Sequence, residues 1–480
     1  MVVTDYTGIS ELIDHGLGDL KQVSALSIKA GVDMDMVSEG FLNTLKQSLQ
    51  DGKVSQSDID RACRLVLEAK YKLGLFEDPY RYCNEDRAQT ELLTPANLKV
   101  ARDAATKSFV LLKNDNQLLP LKKKGTVAVI GPLANTRANM VGTWSVSSDL
   151  VNTPSLVEGM QSVLGNQVKI VTHLGSNLLE DAVYQEHATM FGRTIPRDNR
   201  PESEIVAEAL QIAAQADVIV AALGESSEMS GESSSRTEIG IPAIQQRLLS
   251  ELLKTGKPVV LVLFAGRPMT LTWENEHVPA ILNAWFGGSE TGAAVAEVLF
   301  GDVNPSGKLT ATFPRNVGQL PIYYAHKNTG RPLAEGGSFQ KFRSNYIDVI
   351  NSPLFPFGYG LSYTTFDYSD LKLDKSSIKE GQSIQASVTL SNTGKYDGEE
   401  VVQLYIKDVV GSITRPVKEL KGFKKVFLKA GESTTVNFTV SEEELKFYNN
   451  DLKFVAEPGD FILYIGKNSQ DLLESKFQLK

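Results

Sequence analysis

Six short apolar runs recur through the middle of this chain, at residues 126–131, 168–173, 217–223, 258–264, 280–285 and 309–313. The run DVIVAAL at 217–223 has no polar side to turn toward water, so it reads as a strand buried on both faces. The segments 202–216, 243–255 and 292–299 have helical apolar spacing. Strands alternating with helices predict a doubly wound α/β domain over residues 95–314, opened by a helix at 95–113.

The loop that follows the third run is the chemically dense stretch. Residues 224–242 read GESSEMSGESSSRTEIGIP, and open sheets place ligands at the carboxyl ends of their strands. The loop carries Glu225, Glu228, Glu232 and Glu238 with one arginine, Arg236. A carboxyl group there can act as a general acid if its surroundings raise its pKa. Composition alone favours a solvated serine-rich surface loop. The turn at 131–135, GPLAN, follows a strand as a phosphate-binding turn would, but it lacks the glycine spacing of a nucleotide site.

Either side of this domain the pattern changes. Residues 1–76 read as β-α-β-α, with short strands at 2–4 and 31–36 and helices at 8–15, 20–30, 40–51 and 57–74. A chain starting inside a strand suggests that an N-terminal part is missing. Residues 77–94 read as a linker. Residues 315–365 have no period but many aromatics, which fits a segment packed across a domain face. From 366 to 480 short alternating segments at 382–392, 400–407, 419–428, 433–440 and 459–466 predict an all-β sandwich. A length of 480 residues agrees with about three domains of ~150 each.

Composition excludes several classes. Net charge is −9 with no basic stripe, so nucleic acid is not an expected partner. No run of 18 apolar residues exists, so no membrane-spanning helix is expected. Two cysteines, Cys63 and Cys83, form no disulfide framework, and the five histidines have no metal-ligand spacing.

The wording of the chain then becomes specific. The stretches VVTDYTGISELIDHG, KYKLGLFEDPY, SFVLLKNDNQLLPL, SSRTEIGIP, AWFGGSETG, LFGDVNPSGKLTATFPRNVGQLPIYY, FPFGYGLSYTTF and RPVKELKGFKKVFLKAGE run from end to end. Together they resemble the C-terminal two-thirds of bacterial β-glucosidases of glycoside hydrolase family 3, close to the periplasmic type. The resemblance implies α/β plus all-β architecture: the remnant of a (β/α)8 barrel, an α/β sandwich domain and a fibronectin type III-like β-sandwich. It implies Asp5 as catalytic nucleophile and Glu232 as acid/base, with Glu225 and Glu228 as neighbours to weigh. Tyr6 stands where the family often has Trp, so an aromatic wall is implied there.

Retaining glycoside hydrolysis needs two carboxyl groups about 5–5.5 Å apart, one attacking the anomeric carbon and one moving the proton. Asp5 could otherwise serve as a helix cap before residue 8. Trp144, in GTWS, is either a sugar-stacking residue or a core residue, while Trp273 and Trp285 are expected to pack internally. The family's sugar-gripping residues on earlier barrel strands have no counterpart in these 480 residues. The expectation is therefore a retaining exo-β-glucosidase fragment, weak or inactive alone, needing no cofactor. Its substrate class is an oligosaccharide or β-glucoside. The barrel remnant is expected to be poorly ordered, to pair with a second copy as a homodimer, or to be completed by missing barrel sequence. Two alternatives stay open: a non-catalytic carbohydrate-binding or scaffolding module, and β-xylosidase or α-arabinosidase activity. A periplasmic or secreted location follows from resemblance alone.

Overall fold

In a computed structural model of the chain, all residues except 147, 148, 335 and 338 are described. Two compact units divide it, Met1–Thr94 and Pro95–Lys480.

The first unit is built from helices α1 (Gly8–Glu11), α2 (Leu20–Ala30), α3 (Gly40–Gln50), α4 (Gln56–Lys72) and α5 (Asp86–Glu91). Local signals fix their ends. Asp19 caps α2 by accepting from the Gln22 amide, and Gly31 stops it at φ 107°. Ser55 and Asp58 form a reciprocal capping box on α4. The expected helix at 8–15 is a single α-helical turn continued by looser turns, and the expected linker holds α5. The strands expected at 2–4 and 31–36 are reduced to one parallel bridge between Val3 and Met34. The apolar centre is small: Ala25, Ile28, Val54 and Ala62.

The second unit opens with helix α6 (Pro95–Ser108) and strand β1 (Val110–Asn114). Strands β2 (Thr126–Ile130), β3 (Lys169–His173), β4 (Val218–Gly224), β5 (Val259–Phe264) and β6 (Ala280–Asn283) follow. Between them lie helices α7 (Leu156–Leu164), α8 (Ala182–His187), α9 (Glu202–Ala214), α10 (Ala243–Lys254) and α11 (Thr272–His277), with α12 (Thr291–Leu299) after β6. The sheet order is β1-β6-β5-β4-β2-β3, parallel except for β1. Adjacent residues of one strand serve opposite layers. Val127 and Val129 pack with Met160 and Val298 on one face, while Ala128 and Ile130 pack with Leu248 and Leu252 on the other. This two-sided burial is why the strands read as continuous apolar runs.

Two expectations within this sheet are corrected. The helix expected at 95–113 ends at Ser108, because Val110, Leu111, Lys113 and Asn114 pair as an antiparallel edge strand with β6. The run at 309–313 is extended but lies outside the sheet. It pairs instead with the returning segment, through Leu309 N to Tyr359 O at 2.8 Å and Phe313 N to Phe355 O at 2.9 Å.

The remaining strands are β7 (Phe366–Leu373), β8 (Ser377–Ile378), β9 (Ser383–Asn392), β10 (Gly398–Asp408), β11 (Glu419–Leu428), β12 (Ser433–Ser441), β13 (Phe447–Tyr448), β14 (Phe454–Val455), β15 (Gly459–Gly466) and β16 (Leu472–Leu479). Sheets β11-β10-β15-β16-β8 and β12-β9-β7 face each other across a shared core. Alternate residues Ile384, Ala386, Val388 and Leu390 of β9 point into it.

A polar seam joins this sandwich to the α/β domain. Lys308 Nζ lies 3.0 Å from Glu400 Oε2 and donates to Gly360 O at 2.8 Å, while Tyr368 OH donates to Glu400 Oε1 at 3.1 Å. Gln403 Nε2 donates to Gly358 O at 3.0 Å, and Tyr405 OH donates to Gln403 Oε1. Tyr324, from the aperiodic segment, stacks on Phe357 at 4.3 Å and meets Tyr405 edge-on. The two ends of that segment, around Tyr324 and residues 354–363, therefore pack between the layers, while the described residues of 326–351 are mostly exposed.

Candidate active site

The five parallel strands, taken in chain order, lie as 2-1-3-4-5, so the winding reverses between β2 and β4. Ligands in such sheets bind outside the carboxyl ends at this reversal. Here β4 ends in Gly224 at φ 127°, where a Cβ would fall 2.0 Å from the Phe264 carbonyl oxygen. Only glycine fits there, and it lets the next amide, Glu225 N, bond Phe264 O at 2.8 Å. Gly224→Ala is expected to lower unfolding stability by at least about 2 kcal/mol; a urea midpoint equal to the parent's would contradict this.

The loop glutamates then separate by environment. Glu225 is fully buried, with Oε1 2.7 Å from Arg236 Nη1 and 2.9 Å from Arg267 Nε. The Arg236 contact is a hydrogen bond, whereas the Nε–H of Arg267 is not aligned on the carboxylate and that contact is ionic. Glu228 is also buried, 3.4 Å from Arg193 Nη1. Arg193 Nη2 donates to Gly142 O at 3.0 Å and Ser145 Oγ at 3.2 Å, so this pair ties the Trp144 turn to the glutamate loop. Thr143 Oγ1 adds a bond to Ser227 O. Both buried glutamates are therefore occupied by structural arginines. Glu232 is exposed, and its carboxylate accepts no hydrogen bond and meets no cation among the described residues. It sits beside Ser233, which holds a left-handed φ of 54°.

Trp144 is 75% exposed, so it is not a core residue. Trp273 stacks on His277 at 4.6 Å and Trp285 meets Phe313 edge-on at 6.0 Å, so both pack within the domain. A cavity of about 370 Å³ is lined by Glu238, Trp273 and Glu274. Burial pushes the Glu274 carboxyl up. That carboxylate accepts from Gln246 and joins α10 to α11, which gives it a structural task. At the GPLAN turn, Arg137 is held by Glu158, with Nε to Oε2 at 3.0 Å, and offers no unpaired cation for a phosphate. Among the described residues no cluster of His, Cys, Asp or Glu could hold a metal ion, and no helix is long and apolar enough to cross a membrane.

In the first unit Asp5 is exposed, and among the described residues its carboxylate accepts only from the adjacent Tyr6 amide, at 2.7 Å. It does not cap α1: the capping position is Thr7, at φ 60° and without a side-chain cap bond. Tyr6 is 64% exposed. The extended segment leading to Asp5 is held by Asp33, whose buried carboxylate accepts from the Val2 amide at 2.8 Å and pairs with Arg61 at 3.2 Å. Asp33 escaped the reading of the sequence. A lone aspartate in GVDMDM gives no sign that its partners lie at residues 2 and 61.

Residues 109–363 match the glycosyl hydrolase family 3 C-terminal domain, and 400–469 match a fibronectin type III-like domain. The chain is 44% identical to the periplasmic β-glucosidase of Salmonella typhimurium over 483 residues, covering all of this chain and 63% of that protein. It is 38% identical to a β-xylosidase of Formosa agariphila over 94% of this chain and 60% of that one. The crystal structure of a Listeria innocua β-glucosidase in complex with isofagomine superposes with a TM-score of 0.88 at 36% identity, over 99% of this chain and 63% of that chain. The chain thus spans less than two-thirds of the length of these relatives.

Proposed function

The chain belongs to glycosyl hydrolase family 3, and on that premise we propose that it carries the catalytic pair of a retaining, exo-acting β-glucosidase. Asp5 attacks the anomeric carbon and forms the glycosyl ester. Glu232 protonates the departing oxygen, then takes the proton from the water that hydrolyses that ester. The single observation that carries the assignment of Glu232 is its free, exposed carboxylate in a loop whose neighbours Glu225 and Glu228 are buried on arginines. Trp144 and Tyr6 offer exposed aromatic faces on which a pyranose can stack.

Residues 1–76 are the remnant of a (β/α)8 barrel in this reading. The exposed Met1, Val2, Met34, Met36 and Val37 around the Val3–Met34 bridge are apolar surface that further barrel strands would cover. The sugar-gripping part of a barrel is not among these 480 residues, so the chain alone is slow or inactive. A periplasmic or secreted location fits the Salmonella relative's name.

The test compares two proteins on aryl β-glucosides: these 480 residues, and the same residues preceded by the part of the Salmonella relative that they do not match. The joined protein is expected to turn over at ordinary enzyme rates of about 1–1,000 per second, and the chain alone at least a thousandfold more slowly. Ordinary turnover by the chain alone, or none by either, would sink the reading. Aryl β-xylosides belong in the same assay, because one relative is a β-xylosidase. Calorimetry with cello-oligosaccharides addresses the binding-module reading, which the exposed Trp144 favours.

A further inference from the structure

The loop that bears Glu232 is held at both ends by one guanidinium. Arg267, in the loop after β5 and three residues past Phe264, donates through Nη2 to Met229 O and, at 2.7 Å, to Ser234 O. These carbonyls bracket the tip Ser230–Ser233, so a single planar group closes the base of the loop. The guanidinium is in turn held by the fully buried carboxylate of Glu225 at 2.9 Å. The other oxygen of Glu225 accepts from the Gly266 amide at 3.3 Å. Arg236 shares the same carboxylate and donates to Gly240 O at 3.1 Å, which secures the outgoing arm.

Packing completes the grip. A Cβ on Gly266 would fall 2.2 Å from Ser230 Oγ and 2.8 Å from Ser230 Cβ. A Cβ on Gly231 would fall 2.4 Å from Thr143 Cγ2. The tip is thus pressed between the Arg267 strand end and the Trp144 turn, with both close approaches made at glycine. A left-handed Ser233 at the tip persists only where its surroundings hold it.

We propose that Arg267, anchored by Glu225, is a positioning residue that sets the direction in which Glu232 projects. The inference rests on Glu232 being the acid/base. Arginine suits the place because one extended guanidinium sets Nε against the carboxylate as an ion pair while Nη2 reaches both carbonyls; a compact ammonium supplies the charge without spanning the two.

Hydrogen exchange on the full 480-residue chain tests the clamp without any turnover. In R267M, peptides spanning 229–236 are expected to exchange about tenfold faster or more, while peptides of β4 and β5 keep their protection. R267K keeps the charge beside Glu225, so it is expected to hold the sheet yet leave the loop as fast as in R267M. Restored loop protection in R267K would show that charge alone matters and overturn the proposal, as would unchanged loop exchange in R267M. If R267M loses protection throughout, R267K decides.

Turnover by the joined protein separates this from the reading it rests on. R267K should depress kcat more for a poor leaving group than for an activated one, as E232Q does. A normal leaving-group dependence in R267K beside an altered one in E232Q removes the clamp and leaves the acid/base in place. A normal dependence in E232Q removes the acid/base instead.

Discussion

Glu232→Gln in the joined protein is expected to slow hydrolysis of phenyl β-glucoside by about 10²–10⁴-fold and to slow a dinitrophenyl glucoside's first step far less. The amide keeps the size and the loop position but has no acidic proton to give. A poor leaving group needs that proton as its bond to the anomeric carbon breaks, whereas a stable phenolate departs without it. Loss of the general base should also make the glycosyl ester persist, because water is no longer deprotonated as it attacks. An anion that needs no deprotonation, such as azide, should then restore turnover and yield the β-glycosyl azide. The same substitution at Glu228 should not produce this pattern, since that carboxylate is spent on Arg193. Equal losses on both substrates, with no response to azide, would move the acid/base role elsewhere. The exposed Glu238, which lines the neighbouring cavity, is the next carboxylate to examine.

Much of this architecture is legible in the sequence, and the misses have physical causes. The five parallel strands announce themselves because both faces of each are covered. In the sandwich, one covered face gives the alternation of Ile384, Ala386, Val388 and Leu390. Strand β1 is misread because FVLL is apolar at every position, which continues a helix as readily as it starts a buried strand. The run at 309–313 has the composition of a strand, yet β1 occupies the sheet edge beside β6 and leaves the run to pair with 355–359. Strand β7 sets Phe366, Tyr368, Leu371 and Leu373 against the core, but an irregularity between Ser369 and Lys372 breaks the alternation that would announce it. At the candidate site, loop position and carboxylate density are visible in advance. What distinguishes Glu225 and Glu228 from Glu232 is not, because it depends on Arg193 and Arg267 arriving from other loops and on which glutamate the loop's own Arg236 reaches. Local sequence states which groups can ionise; only the fold decides which of them already have a partner.

That same dependence on distant partners makes the seam between the α/β domain and the β-sandwich a sensitive place in the second unit. Lys308→Met is expected to lower stability by about 3–5 kcal/mol. Lys308 and Glu400 are both nearly buried, and the ammonium is the only cation recorded against that carboxylate among the described residues. Removing it leaves an ionised group out of water with the Tyr368 hydroxyl as its remaining donor. Tyr368 cannot share the charge by ionising, because burial and the neighbouring carboxylate both push its phenol up. Removing both charges is a different experiment. K308M/E400L deletes the cation and the buried anion together, so it should recover most of the loss, although Tyr368 then needs another acceptor. A coupling energy of about 2 kcal/mol or more between the two sites is expected from denaturant unfolding of the wild type, both single variants and the double. A double variant as unstable as the sum of the singles would mean that the seam is held by shape around Tyr324, Phe357 and Tyr405. The ion pair would then be incidental to how the sandwich is fixed against the domain that carries Glu232.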